Sequence, residues 1–312
     1  MRYRSLGGTG LDVSVISLGS WLTFGGSVDE QTSIACIHRA FELGVNFFDT
    51  ADIYGDGHAE EVVGRALSTL PRDQVIVGTK VFFPTRTGRG LGRTHVLAEC
   101  GESLRRLGVE VIDLYQCHRY DPSTVLEETC RVMHDLVQEG KIRHWGVSEW
   151  TADQIAEAMA LCERNGLTPP MTDQPHYSML LRDAEEEVLP ACARFGLGVV
   201  VFSPLAQGVL TGKYRGGEKA PRDSRAAGGS GASFIRPLLG RDTLSKVDRL
   251  RPIASDLGIT LGQLALAWIL RRPEITSAIV GATKVAHVEE NVRAADVELD
   301  TEPLDAIASA LA

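Results

Sequence analysis

What this chain lacks narrows the reading before anything it contains. No apolar run approaches the roughly 18 residues that a bilayer-spanning helix needs. The opening Met1-Arg2-Tyr3-Arg4-Ser5 has no apolar signal core behind its basic residues. A cytoplasmic protein without membrane insertion is therefore the expectation. A basic face is missing too: the formal net charge is −9, with acids spread rather than clustered. That favours solubility and argues against general nucleic-acid binding. The six cysteines (Cys36, Cys100, Cys117, Cys130, Cys162, Cys192) form no C-x-x-C pair. They read as reduced thiols filling core space, and no zinc site is expected. Gly7-Gly8-Thr9-Gly10 lacks the G-x-G-x-x-G spacing and opens no helix, so it is no dinucleotide fingerprint. Ser203-Pro204-Leu205 is no G-x-S-x-G elbow.

What is present is a rhythm. The chain has 312 residues, 44% of them hydrophobic and 23% charged, an ordinary balance for a globular protein. A hairpin is predicted over Arg4–Ser14. Eight apolar runs follow: Val15–Gly19, Val45–Asp49, Val75–Lys80, Val111–His118, Ile142–Ser148, Met171–Gln174, Gly198–Ser203 and Ser277–Gly281. They are continuously apolar, as strands covered on both faces should be. Helical patterns lie between them: Thr32–Leu43, Ala59–Leu70, Thr94–Leu107, Thr124–Gln138, Ala152–Asn165 and Ala184–Phe195. Several end at glycine, which suits a left-handed C-cap. Eight βα units specify a single (β/α)8 TIM barrel spanning 1–312. Spacing alone does not show closure, so an open sheet is the alternative. One segment breaks the rhythm. Pro204–Arg236, rich in Gly, Pro, Ser and Arg and containing Gly228-Gly229-Ser230-Gly231, reads as a long functional loop. Extra helices are predicted before the eighth strand, over Asp242–Leu257 and Thr260–Arg271. A last one, Glu302–Leu311, is expected on the outside.

Active sites of such barrels lie at the C-terminal ends of the strands. Those ends here are Gly19-Ser20-Trp21, Asp49, Lys80, His118, Ser148, Gln174, Ser203 and Gly281. Singly, each has a plain reading: Asp49 as a capping acid, Tyr54 as a rim phenol, Lys80 as a snorkelling lysine, His118 as a core histidine. Together they make a proton-donating unit. Tyr54 gives the proton, Lys80 lowers the phenol's pKa, Asp49 anchors Lys80, and His118 orients a carbonyl oxygen. Such a unit needs a reductant, and a cofactor hydride fits. An anion site is expected where the eighth strand ends in Gly281-Ala282-Thr283-Lys284 and opens a helix. The loop after the seventh supplies Lys213, Arg222 and Arg225.

These residues carry a resemblance. Phe48-Asp49-Thr50-Ala51 with Tyr54-Gly55, the Gly64 helix, Thr79-Lys80 and Leu104-Arg105-Arg106-Leu107 come first. Asp113-Leu114-Tyr115-Gln116-Cys117-His118, Gly146-Val147-Ser148 and Glu290-Asn291 follow in order. The chain resembles the aldo-keto reductases over essentially its whole length. Trp21-Leu22-Thr23-Phe24-Gly25-Gly26, Phe202-Ser203-Pro204-Leu205-Ala206 and Gly208–Tyr214 are similar to the branch holding the voltage-gated potassium channel β subunits and related bacterial reductases. The resemblance implies a TIM barrel that binds NADP(H) without a Rossmann fold, and the tetrad Asp49, Tyr54, Lys80 and His118. It implies Ser148 and Gln174 on the nicotinamide carboxamide and Phe202 stacked on its ring. Ser203, Pro204, Leu205, Ala206, Gln207, Lys213 and Arg225 would follow the phosphates. Gly281, Thr283, His287, Glu290 and Asn291 would receive the adenosine end, and Ser20, Trp21 and Asp49 belong to the same cofactor site. Trp21, Tyr54, Phe83, His118 and Trp150 are candidates for the substrate wall.

Three departures carry information. The channel β subunits have Asn at the place of His118, so the His favours catalysis over pure regulation. Glu149 follows Ser148 where relatives have Asn or Arg, which leaves its cofactor contact in doubt. His287 stands where many members use Arg for the 2′-phosphate, so NADP(H) is favoured and NAD(H) stays open. The implied activity is carbonyl reduction of a small-molecule aldehyde or ketone. A slow-turnover NADP(H)-binding redox sensor and an NAD-dependent sugar or alcohol dehydrogenase are the rivals. Members of that branch often form tetramers or larger rings, so a homo-oligomer, tetramer or larger, stays open.

Overall fold

The computed structural model describes residues 1–222, 224–228 and 231–312. Strands β1 (Tyr3–Ser5) and β2 (Asp12–Ser14) form the antiparallel hairpin. The alternation then runs β3 (Ile16–Gly19), α1 (Glu30–Glu42), β4 (Phe47–Asp49), α2 (His58–Leu67), β5 (Ile76–Val81), α3 (Arg93–Leu107), β6 (Ile112–Cys117), α4 (Leu126–Gln138), β7 (Ile142–Ser148) and α5 (Ala152–Asn165). It continues with β8 (Thr172–Gln174), α6 (Val188–Phe195), β9 (Gly198–Val201), α7 (Ala232–Ile235), α8 (Arg241–Asp256), α9 (Leu261–Leu270), β10 (Ile275–Val280), α10 (Val285–Val292) and α11 (Thr301–Leu311). Strands β3 to β10 pair in parallel, and β10 pairs back onto β3. The barrel is closed, which removes the open-sheet alternative. Helix α11 lies against α8, where Arg249 Nε donates to the Ala310 carbonyl at 2.8 Å.

Local chemistry explains the boundaries. Asp29 accepts from the Thr32 amide at the start of α1, and Thr151 and Thr260 form capping boxes with Gln154 and Gln263. Gly108 and Gly166 close α3 and α5 in the left-handed region. The helix expected over Ala184–Phe195 is split into a 3-10 turn, Asp183–Glu185, and α6. Pro190 is the reason. In an uninterrupted helix its ring would meet the carbonyl four residues back, whereas in the first turn of α6 its missing N–H costs nothing. The 204–236 stretch is not a plain loop either. It forms 3-10 turns at Ala206–Thr211 and Arg225–Ala227 before α7. Gly229 and Ser230 of the glycine run lie outside the described residues.

Two apolar layers sandwich the barrel wall. The outer one packs strands on helices and holds all six cysteines, buried and free of disulfides. The inner one is small: Phe47, Ile76, Leu114, Val200 and Ile279 fill the lower barrel, and Leu6 and Val13 of the hairpin close it from below. The closure is tight. A Cβ on Gly7 would fall 2.3 Å from the Gly198 amide nitrogen, and Gly7 has φ +54°, so only glycine fits there. Inward positions above this plug are polar, and they make the site. Among the described residues no single helix is long and apolar enough to cross a membrane.

Candidate active site

Strand alternation turns Asp49, Lys80 and His118 inward at the top of β4 and β5 and just past β6. Lys80 is fully buried. Its ammonium donates to Asp49 Oδ1 at 2.6 Å and to the Thr50 carbonyl at 2.7 Å. Its third direction reaches the Tyr54 hydroxyl at 3.5 Å, a long contact, with the ammonium 5.1 Å from the phenol centroid. Ser20 braces this corner. Its amide donates to the Asp49 carbonyl at 3.0 Å and its hydroxyl to Thr50 Oγ1 at 2.8 Å. Gln174 crosses the mouth to donate from Nε2 to Asp49 Oδ2 at 3.0 Å. Both Asp49 oxygens are thus satisfied, as a buried carboxylate requires. The His118 ring stands edge-on to Tyr54 at 5.7 Å and to Phe83 at 4.9 Å.

The electrostatics correct one expectation. The Tyr54 phenol is held well above its ordinary pKa, not below it, by burial first and then by the Asp49 charge. The phenol keeps its proton, which is the state an acid must start from. Burial also pulls Lys80 down against the opposing pull of Asp49. His118 is driven well below its usual value by burial, Lys80 and Arg119, so its imidazole is neutral and has one N–H to give. Arg119, which sequence reasoning did not single out, donates to the His118 carbonyl at 2.5 Å and lies 5.7 Å from the Phe83 ring centroid. Its position directly after His118 at a strand end was the available signal.

Behind β5 lies a second charged cluster that the residue pattern did not announce. Thr79 points outward and donates to Glu60 Oε1 at 2.5 Å. Arg106 bridges Glu60 and Glu99, each at 2.6 Å. Thr85 and Thr87 of the loop carrying Phe83 donate to Glu99 at 2.7 and 2.5 Å. Asp52 belongs to the same neighbourhood. It is 1% exposed, its Oδ1 accepts from the Ile53 amide, and its Oδ2 has no partner among the described residues. Burial, Glu60 and Glu99 push its pKa up to about 8.

The opposite wall gathers the residues expected to hold a nucleotide. Phe202 stacks on His176 at 4.7 Å and 21°, and His176 is held in turn by Glu149, which accepts from its amide at 2.7 Å. Glu149 thus braces the wall through one carboxylate oxygen. Ser148 donates to the Gln174 carbonyl at 2.8 Å. Ser203, Ala206 and Gln207 all have φ near +50°, a strained turn of the kind found at ligand clamps. Gln207 donates to Ser203 Oγ at 2.5 Å and accepts from Arg225. The Arg225 guanidinium lies 5.6 Å from the Trp21 ring centroid, and Trp21 packs edge-on to Phe234 at 4.9 Å. The long segment thus meets the β3–α1 loop over the mouth. The Lys213 amine lies 3.2 Å from where a Gly208 Cβ would be. Leu205 and Glu290 converge on Gly262, at 3.9 and 3.8 Å from its Cβ position. Gln263 donates to the Glu290 carbonyl at 3.0 Å. Thr283 pairs with His287 Nδ1 at 3.2 Å near the start of α10, with Gly281 exposed and Asn291 buried. A glycine cradle under an amine, a guanidinium and a helix N-terminus suit a dianionic phosphate chain, so the donor set fits NADP(H). Pro204 and Ala206 are buried, and the Ala206 amide is spent on the Ser203 carbonyl.

Trp150 does not join the substrate wall. It is 1% exposed and packs edge-on to Tyr120 at 4.9 Å inside the outer core. The left-handed turn at Glu149, φ +58°, carries the chain away from the mouth before the indole is reached. Trp21 and Phe83 remain part-exposed.

A closed parallel barrel with an Asp–Lys–Tyr–His group at its C-terminal mouth defines a (β/α)8 protein. Residues 15–312 match the model of the aldo/keto reductase family, and the chain belongs to that family, oxidoreductases whose members generally bind NADP(H). Among curated proteins it is 42% identical over 302 residues to a probable voltage-gated potassium channel subunit beta of Arabidopsis thaliana, covering 95% of this chain and 92% of that protein. A protein of the same description from Oryza sativa subsp. japonica is 43% identical over 302 residues, with 95% and 92% covered. A putative one from Schizosaccharomyces pombe is 40% identical over 304 residues, with 94% and 88% covered.

Proposed function

We propose that the chain is an NADP(H)-dependent oxidoreductase that reduces aldehyde or ketone carbonyls to alcohols. The observation that carries this reading is the buried Lys80, bonded to Asp49 at 2.6 Å and facing the Tyr54 hydroxyl at 3.5 Å beside a neutral His118. NADPH, when bound, supplies the hydride. Phe202, Ser148 and the Gln174 side chain would hold its nicotinamide end; Ser203, Gln207, Lys213 and Arg225 its phosphates; Thr283, His287, Glu290 and Asn291 its adenosine. The His118 N–H orients the carbonyl oxygen over Tyr54. Tyr54 donates its proton to that oxygen as negative charge builds there. The Lys80 ammonium stabilises the phenolate left behind, which offsets the burial that holds the phenol's pKa up. Asp49 keeps Lys80 charged and aimed. General acid help of this kind is worth roughly 10²–10⁴ in rate. Trp21 and Phe83 flank the substrate, a small-molecule carbonyl compound.

NADP(H) is preferred to NAD(H), because Lys213, Arg225 and Lys284 supply cationic charge on the wall where His287 stands in for an Arg. Fluorescence titration with both cofactors decides this. The test of the whole reading is a carbonyl panel with NADPH: Tyr54→Phe retaining full turnover would falsify it. A second reading is favoured by the relatives, which are named probable or putative voltage-gated potassium channel β subunits. In it the chain is a slow-turnover NADP(H)-binding regulatory subunit, assembled as a homo-oligomer. Nanomolar cofactor binding with negligible turnover across the panel supports that reading instead.

A further inference from the structure

Beneath the tetrad the barrel interior holds polar atoms that no described contact satisfies. Gln116 is fully buried on β6, pointing inward, and neither Nε2 nor Oε1 has a hydrogen-bond partner. Thr172, fully buried at the start of β8, has an unpartnered Oγ1. His118, two residues beyond Gln116 on the same inward face, has an unpartnered, buried Nδ1. Lys80, Gln116 and Gly146 form one register row across β5, β6 and β7. Thr172 completes the row: a Cβ on Gly146 would fall 1.9 Å from Thr172 Oγ1. The hydroxyl therefore occupies the space over Gly146, about one strand spacing, 4.8 Å, from the β6 backbone at Gln116. Glycine at 146 is what leaves that space open.

Four unmet hydrogen-bonding atoms enclosed by the barrel wall would each cost on the order of 1–3 kcal/mol if left alone. A buried water typically makes about three hydrogen bonds to such groups. Here one molecule can accept from the Thr172 hydroxyl, donate to Gln116 Oε1 and donate to His118 Nδ1. We propose that Gln116 and Thr172 hold an internal water in the floor of the active site, and that this water makes Gln116 the positioning residue that sets the His118 tautomer. A donor at Nδ1 leaves the ring's single proton on Nε2, the nitrogen facing the mouth, where it can be given to a carbonyl oxygen. Without it the proton can sit on Nδ1, and Nε2 presents a lone pair to the substrate. The inference rests on the proposed role of His118 only for its catalytic consequence. The water site and the tautomer stand on the free protein.

The test is long-range ¹⁵N–¹H spectroscopy of histidine-labelled protein without substrate, for the wild type, Gln116→Leu, Thr172→Val and Thr172→Ser. The wild type shows a bare Nδ1 and a protonated Nε2 at His118. Gln116→Leu and Thr172→Val populate the other tautomer, and Thr172→Ser, which keeps the hydroxyl, restores the wild-type signature. With NADPH and a reducible carbonyl, Gln116→Leu lowers kcat by about 10-fold, short of the roughly 10²-fold or greater loss of a whole acid–base group, with NADPH affinity unchanged. A wild-type ring protonated on Nδ1, or a Gln116→Leu ring still protonated on Nε2, overturns the inference. If both apolar variants fail to fold, a high-resolution crystal structure of the wild type decides it. A water bonded to Gln116 and His118 Nδ1 supports it, and a different donor at Nδ1 overturns it. A chain that reduces no carbonyl yet changes tautomer on Gln116→Leu upholds this inference and removes the reading of the previous section.

Discussion

The two faces of β5 carry the same ingredients in different ratios. Inward, one ammonium meets one carboxylate: Lys80 and Asp49, with Gln174 and Thr50 completing the shell. Outward, one guanidinium serves two buried carboxylates, Glu60 and Glu99, reaches the half-buried Glu102 at 3.8 Å, and has Asp52 nearby, whose Oδ2 has no partner among the described residues. The inner pair is balanced, so its cation can face the Tyr54 phenol. The outer cluster has an excess of acid, and the excess is resolved by protonation: Asp52 keeps its proton up to about pH 8. A buried charge is usable only where its neutralising partner is already in place. The outer face spends its charge on tying α2, α3 and the Phe83 loop together.

The largest expected effects test the inner face. Tyr54→Phe and Lys80→Met each lower kcat by roughly 10²–10⁴, while NADPH binding by fluorescence quenching stays near wild type. Asp49→Asn reduces turnover more than cofactor binding, because its task is to hold Lys80. Arg106→Met tests the outer face. It strands Glu60 and Glu99 and destabilises by roughly 3–5 kcal/mol in urea unfolding, with kcat per folded molecule close to wild type. If Arg106→Met lost as much kcat as Lys80→Met, the division between the faces would be wrong.

Asp52 gives a pH signature. Its carboxyl ionises at about pH 8 in the folded chain but near pH 4 when unfolded. Between those values the folded state binds the extra proton, so stability falls as pH rises from about 4 to about 8, by up to roughly 5 kcal/mol. Asp52→Asn flattens that slope in chemical denaturation measured across the window; an unchanged slope would assign the proton elsewhere. The smallest effect belongs to the far wall. Arg225→Met weakens NADPH binding about tenfold, equivalent to about 1.4 kcal/mol, and leaves kcat at saturation unaltered.

Much of this was legible in residue order. Parallel strands buried on both faces leave continuous apolar runs, and the polar residue ending each run marks the mouth, so Asp49, Lys80, His118, Ser148 and Gln174 could be read without coordinates. Three things could not. Closure depends on how the strands stagger, which spacing does not encode. Trp150 followed a strand end as Trp21 did, but a single left-handed residue, Glu149, sent it into the core. The Tyr54 pKa is set by burial against nearby charge, and a nearby cation can be named from sequence while the depth of burial that outweighs it cannot. The Glu60–Arg106–Glu99 cluster stayed hidden because charged residues on helices usually face water.

The hairpin plug has a kinetic meaning. With Leu6 and Val13 stoppering the barrel from below, the site is a vessel with one opening, and everything that reacts there must queue at the same door. A molecule lying deepest along the wall enters first and leaves last. Arg225, Trp21 and Phe234 stand together at that doorway, so whatever lies along the wall has to pass them on its way in and out.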